Sequence, residues 1–129
     1  SNVEFRSNDA GEDGGGVHMN LNVGAVFESV LFEGNNAQNG KGGGIYFATG
    51  NDGITLNDCK FIDNFAGATG GGLNADDRNG IGLLFFDTDI KLYRCIFSGN
   101  LATDGGAALC IDDENAFSLM DCEIKGKLY

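Results

Sequence analysis

A chain of 129 residues with 42% hydrophobic side chains has material for a single domain-sized core over residues 1–129. Its net charge of −11 repels phosphate backbones and argues against direct nucleic-acid binding. No apolar run approaches the ~18 residues of a membrane span, and 22 Gly without any Pro point to tight turns rather than a disordered linker.

The start, Ser1 to Glu4, has no basic stretch leading into an apolar one, so no signal peptide is visible. Phe5-Arg6-Ser7-Asn8 follows, the first of four Phe-x-x-Asn motifs. The others are Phe32-Glu33-Gly34-Asn35, Phe61-Ile62-Asp63-Asn64 and Phe97-Ser98-Gly99-Asn100, at Phe-to-Phe intervals of 27, 29 and 36 residues. This is a structural repeat. A unit so short cannot bury its own core, so the copies must stack into a solenoid. Both ends fall inside a repeat and neither resembles a polar cap, which reads as a fragment of a longer array.

An apolar segment leads into each later Phe: Val26 to Leu31, Ile54 to Lys60, Ile90 to Ile96, and again from Phe117 to Ile124. Ile54 and Leu56 alternate like a strand, then the phase slips before Cys59 and Phe61 alternate again. Such a slip flips the faces, so two short strands with a corner between them are expected. Cys59, Cys95 and Cys122 share one repeat position, where the first full copy has Val30. They should form a buried column of small side chains, with Cys110 on another inward face. No Cys-x-x-Cys or Cys/His pair suggests zinc. Thiols are expected here, with disulfides between adjacent coils as the alternative.

The Asn of each motif tolerates the left-handed region, and its amide both donates and accepts. Asn8, Asn35, Asn64 and Asn100 are therefore expected to stack as a ladder at a turn, at a coil spacing of roughly 4.8 Å. Gly-rich steps come next: Gly14-Gly15-Gly16, Gly42-Gly43-Gly44, Gly70-Gly71-Gly72 and Gly105-Gly106-Ala107-Ala108. Each leads into a third strand, with Val17 and Met19, Ile45 and Phe47, Leu73 and Ala75, and Ala108 and Cys110 facing inward. The alternate positions, His18, Tyr46, Asn74 and Leu109, should face solvent. Three strands per repeat, parallel to their counterparts, make an all-β parallel β-helix of about four coils.

One copy departs from this pattern. The connection between Asp76 and Asp89 lengthens the repeat to 36 residues, and it contains Asp76-Asp77-Arg78-Asn79-Gly80 and Leu83-Leu84-Phe85-Phe86. Solenoid insertions map to loops on one face, often the binding face, although packing within the loop explains the apolar run more simply.

The acidic clusters carry the best chemistry. Asp76-Asp77 and Asp112-Asp113-Glu114 each follow a Gly-rich strand, and the register should bring Asp77 near Asp112. Asp77, Asp112 and Asp113 with loop carbonyls would suit Ca²⁺. The same acids could stand at hydrolase spacing, with Arg78 or Arg94 as the basic partner of a pectate-lyase-like polysaccharide lyase or glycoside hydrolase. Solvated Asp-rich turns are the simpler explanation of both clusters. The single histidine, His18, lies on the outward phase with no nucleophile beside it, so a triad has no support.

Phe-x-x-Asn followed by a Gly-Gly-Ala-Ile-like element resembles the repeats of the chlamydial polymorphic membrane proteins. The closest copies run from Asn64-Phe65-Ala66 through Gly72-Leu73 and from Asn100-Leu101-Ala102 through Ala107, and Asp58 to Phe61 also fits. The third residue of the Gly-Gly-Ala-like element is Gly in three copies, a mild departure. The resemblance implies the right-handed parallel β-helix of autotransporter passenger domains and a link to adhesion, and it carries over no catalytic residue. The expected function is a non-catalytic extracellular or cell-surface module. It would serve adhesion or structural assembly through protein or glycan contacts, or self-assembly into a scaffold or filament.

Overall fold

The computed structural model describes residues 3–48, 51, 53–76, 89–111 and 116–125. These form a parallel β-helix of about four coils, and none of them is helical. The first coil supplies β1 (Val3–Arg6), β2 (Asp9–Ala10) and β3 (Val17–Met19). The second supplies β4 (Val26–Glu28), β5 (Val30–Glu33), β6 (Asn36–Ala37) and β7 (Ile45–Phe47). The third contributes β8 (Ile54–Asn57), β9 (Lys60–Ile62), β10 (Phe65–Ala66) and β11 (Leu73–Ala75). Then follow β12 (Asp89–Tyr93), β13 (Ile96–Ser98), β14 (Leu101–Ala102), β15 (Leu109–Ile111), β16 (Ala116–Met120) and β17 (Glu123–Ile124). Every strand pairs in parallel with its counterpart one coil away. The first sheet is ordered β1-β5-β9-β13-β17, the second β14-β10-β6-β2, the third β15-β11-β7-β3 and the fourth β16-β12-β8-β4.

A full coil thus has four strands, not three. The additional one follows the ladder Asn and is only two residues long, too short for alternation to reveal it. Its inward residue is Ala10, Ala37, Ala66 or Ala102, and the small side chain lets the second sheet lie close to the core.

Left-handed residues make the corners. The residue between the fourth-sheet and first-sheet strands has positive φ in each described copy: Ser29 53°, Asp58 53°, Arg94 51° and Asp121 54°. So has the residue before each ladder Asn: Ser7 52°, Gly34 62°, Asp63 52° and Gly99 68°. The left-handed turn therefore sits one residue before the Asn rather than on it. This explains the motif spacing: one left-handed residue reverses the phase, so Phe and Asn both point inward. Phe5, Phe32, Phe61 and Phe97 stack with ring centroids 5.2, 4.7 and 4.6 Å apart and their planes nearly parallel. Around them, Ile45, Phe47, Ile54, Leu56, Leu73, Ile90 and Leu92 fill the core.

The Gly-rich step is tight because the coils touch there. A Cβ on Gly71 would meet the carbonyl oxygens of Ala107 and Leu101, both 2.4 Å away in the next coil. Gly72 pairs with Ala108 and Gly71 with Ala107, as their backbone bonds show. Those alanines lie on the edge strand side of their sheets, where no further described coil crowds the Cβ.

The register of the fourth copy is shifted by one from the expected alignment. Leu73 pairs with Leu109 and Asn74 with Cys110. Leu109 is therefore inward and buried, while Cys110 takes the outer column. The turn glycine is the sixth residue after the ladder Asn in both copies, Gly70 after Asn64 and Gly106 after Asn100, and Gly105 bridges to Thr69 instead. Among the described residues no helix is long and apolar enough to cross a membrane.

Candidate functional site

The expected calcium ligands Asp77, Asp112 and Asp113 lie outside the described residues, as do Arg78 and Leu83 to Phe86. Among the described residues no group of three His, Cys, Asp or Glu side chains converges as a metal site would require. Arg94 lies on the exposed corner between the fourth and first sheets, away from the Gly-rich strand. Its Nε and second guanidinium nitrogen donate to Asp58 Oδ1 and Oδ2 at 2.7 and 2.8 Å. That fork holds the Asp58 carboxyl below its usual range.

Asn8, Asn35, Asn64 and Asn100 occupy one column, buried at the last three and exposed at Asn8. Asn8 N and Nδ2 donate to Asn35 Oδ1 at 3.1 and 2.9 Å. Asn35 N and Nδ2 donate to Asn64 Oδ1, both at 3.0 Å, and Asn64 repeats this with Asn100. The second amide proton goes to the Phe carbonyl one coil back: Asn35 to Phe5 at 2.8 Å, Asn64 to Phe32 at 2.9 Å and Asn100 to Phe61 at 2.8 Å. A backbone N–H can only donate, so its partner must be the amide oxygen, which settles the orientation of each side chain. A single longer rung of the same type, at 3.2 and 3.4 Å, ties Asn22 to Asn51 at a second corner. The recurring Asn-x-Gly at Asn22-Val23-Gly24 and Asn51-Asp52-Gly53 was the signal for it.

The richest polar cluster lies on the outer face of the third sheet. There His18, Tyr46, Asn74 and Cys110 form one column. His18 is exposed, as expected. Tyr46 and Asn74, expected in solvent, are buried, because the column closes on itself. The His18 ring packs edge-on against Tyr46 at 4.9 Å. Tyr46 Oη donates to Asp76 Oδ2 at 2.7 Å, Lys41 Nζ donates to both Asp76 oxygens at 2.9 and 3.0 Å, and Thr69 Oγ1 donates to Asn74 Oδ1 at 2.8 Å. No local sequence pattern joins Lys41 to Asp76, since they belong to different coils.

Burial pushes the Tyr46 phenol up, and the Asp76 and Asp13 carboxylates push it further. A phenol that holds its proton this firmly is a poor general base at neutral pH. The cluster instead clamps one coil to the next. Tyr46→Phe is expected to cost about 1–3 kcal/mol, the worth of a hydrogen bond to a charged group. Because the folded protein keeps this proton longer than the unfolded chain, the bond is intact below the ordinary phenol value. Its contribution fades as pH rises past about 10. Urea unfolding at neutral and alkaline pH checks this: the gap between wild type and Tyr46→Phe should narrow at high pH.

None of the four cysteines forms a disulfide. Cys59 and Cys95 are buried, and their thiols donate back to Phe27 O at 3.6 Å and Leu56 O at 3.4 Å. The neighbouring Cys59 sulfur and burial push the Cys95 thiol far up, so it makes a weak nucleophile.

Two segments, residues 29–48 and 94–112, match the Chlamydia polymorphic membrane protein repeat. Each begins on a left-handed corner residue, Ser29 or Arg94, and runs across the inward Phe, the ladder Asn and the Gly-rich turn into the third sheet. The matched positions are therefore those that build a coil. No curated protein and no solved structure matches the chain significantly.

Proposed function

We propose that this chain is a non-catalytic module of an extracellular or cell-surface protein, a stiff β-helix whose outer faces contact a protein or glycan in adhesion or structural assembly. The observation that carries this reading is how its described polar clusters are used. The Asn ladder holds the core, and Tyr46, Asp76 and Lys41 hold one another across coils. Neither leaves a side chain poised for acid–base work on a substrate. The matched repeat of a membrane-protein family supports a surface setting.

The purified chain is expected to give neither unsaturated products nor new reducing ends from polygalacturonate and related acidic polysaccharides, with or without Ca²⁺. On glycan arrays and immobilised surface proteins it should bind without consuming its ligand. Turnover of any of these polysaccharides would sink the proposal in favour of the lyase or hydrolase alternative.

A further inference from the structure

The outer column of the second sheet is polar at one end and apolar at the other. Asp9 pairs with Asn36, Asn36 with Phe65 and Phe65 with Leu101. Phe65 is 37% and Leu101 63% exposed. The fold does not ask for an aromatic ring there, since the first two coils place Asp and Asn at the same position.

The polar end is preset. Asn36 Nδ2 donates to Asp9 Oδ1 at 2.9 Å. A carboxylate can only accept, so this bond fixes which way the amide points. Its Oδ1 is then the one buried side-chain polar atom among the described residues without a hydrogen-bond partner. A buried acceptor left so is costly, and native structures rarely keep one without a reason. Asn36 as a whole is only half-buried, so a small rotation brings that oxygen to a donor at the surface. A second carboxylate stands on the flank. Asp63 Oδ1 lies over Gly99, where any Cβ would collide with it, two residues ahead of Leu101.

We infer that Asp9, Asn36 and Phe65 form a subsite for a neutral pyranose unit of a glycan. Such a ring has a face of C–H groups and a rim of hydroxyls, which matches a column with an aromatic ring beside acceptors. The C–H face lies on the Phe65 ring, whose π face carries partial negative charge. The rim hydroxyls donate to Asp9 and to Asn36 Oδ1. An apolar protein patch would leave both acceptors without donors. Charge selects the sugar: Asp9 and Asp63, on a chain of net charge −11, repel a sialylated or uronate unit. The inference rests on the surface-module reading and narrows its ligand to one class.

An array of galactose-, mannose- and N-acetylglucosamine-terminated oligosaccharides, beside sialylated and uronate-bearing ones, tests it with the purified chain. The wild type should bind neutral probes and bind the acidic ones far less. Phe65→Ala should weaken binding by about tenfold, whereas Phe65→Tyr, which keeps the ring, should retain it. Both variants should melt like wild type. Asp9→Asn, at an exposed position, should weaken binding several-fold and tests the site even if Phe65→Ala misfolds. Undiminished binding by Phe65→Ala, or a preference for the acidic probes, overturns the subsite. Capture of immobilised surface proteins with no neutral glycan also overturns it, but leaves the surface-module reading standing. Cleavage of a bound oligosaccharide overturns that reading and the subsite with it.

Discussion

Asn64→Ala is expected to destabilise the chain by about 3–5 kcal/mol, because it strips the ladder of an inner rung whose neighbours are buried. Asn64 Oδ1 accepts from Asn35 N and Nδ2, and Asn64 Nδ2 donates to Phe32 O and Asn100 Oδ1. Alanine replaces none of these bonds. Asn35 keeps its backbone N–H and one amide proton buried without partners, at roughly 1–3 kcal/mol for each orphaned group. Small domains have only about 5–15 kcal/mol in total, so the midpoint of denaturant unfolding should fall far, at unchanged slope. Asn64→Asp separates geometry from hydrogen-bond polarity. A carboxylate cannot donate to Phe32 O or Asn100 Oδ1, so its folded pKa should rise, and the variant should lose stability as pH increases from acid toward neutral. If Asn64→Ala unfolds within about 1 kcal/mol of wild type, the ladder is not a principal source of stability.

Phe61→Ala should cost a similar amount, about 3–5 kcal/mol, through loss of buried area and the cavity left behind. Phe61 is fully buried, with Phe32 on one side at 4.7 Å and Phe97 on the other at 4.6 Å, so two nearly parallel ring contacts disappear together. Offset-stacked pairs add about 0.5–1.5 kcal/mol beyond burial. Phe5→Ala serves as the comparison. It has one stacked neighbour, Phe32 at 5.2 Å, and is only partly buried, so its loss should be clearly smaller. Equal effects at Phe5 and Phe61 would mean that the stack does not act through its interior position.

The two predictions rest on features of unequal visibility. That Phe and Asn recur three residues apart was plain in the chain, and so was the inference that short units must stack. Why the spacing is three was not. The left-handed residue is Ser7, Gly34, Asp63 or Gly99, and no single side chain marks it. The two-residue strand of Ala37 and Ala66 leaves no pattern in the sequence, since alternation needs more than two positions. The fourth register is ambiguous in the sequence because Ala108, Leu109 and Cys110 are all apolar enough for either face.

Alone, the sequence determined the repeat, its parallel stacking, the column shared by Val30, Cys59 and Cys95, and the inward faces of most strands. These depend on which residue types recur at a fixed period, and local chemistry is enough to read them. The tertiary structure decided which side chains meet across coils: Tyr46 with Asp76 and Lys41, Arg94 with Asp58, Asn22 with Asn51. Their partners are about 29 to 36 residues apart. In a parallel stack that pairing follows from hydrogen-bond register and from the length of each intervening turn, and both are fixed only once the coils have closed on one another.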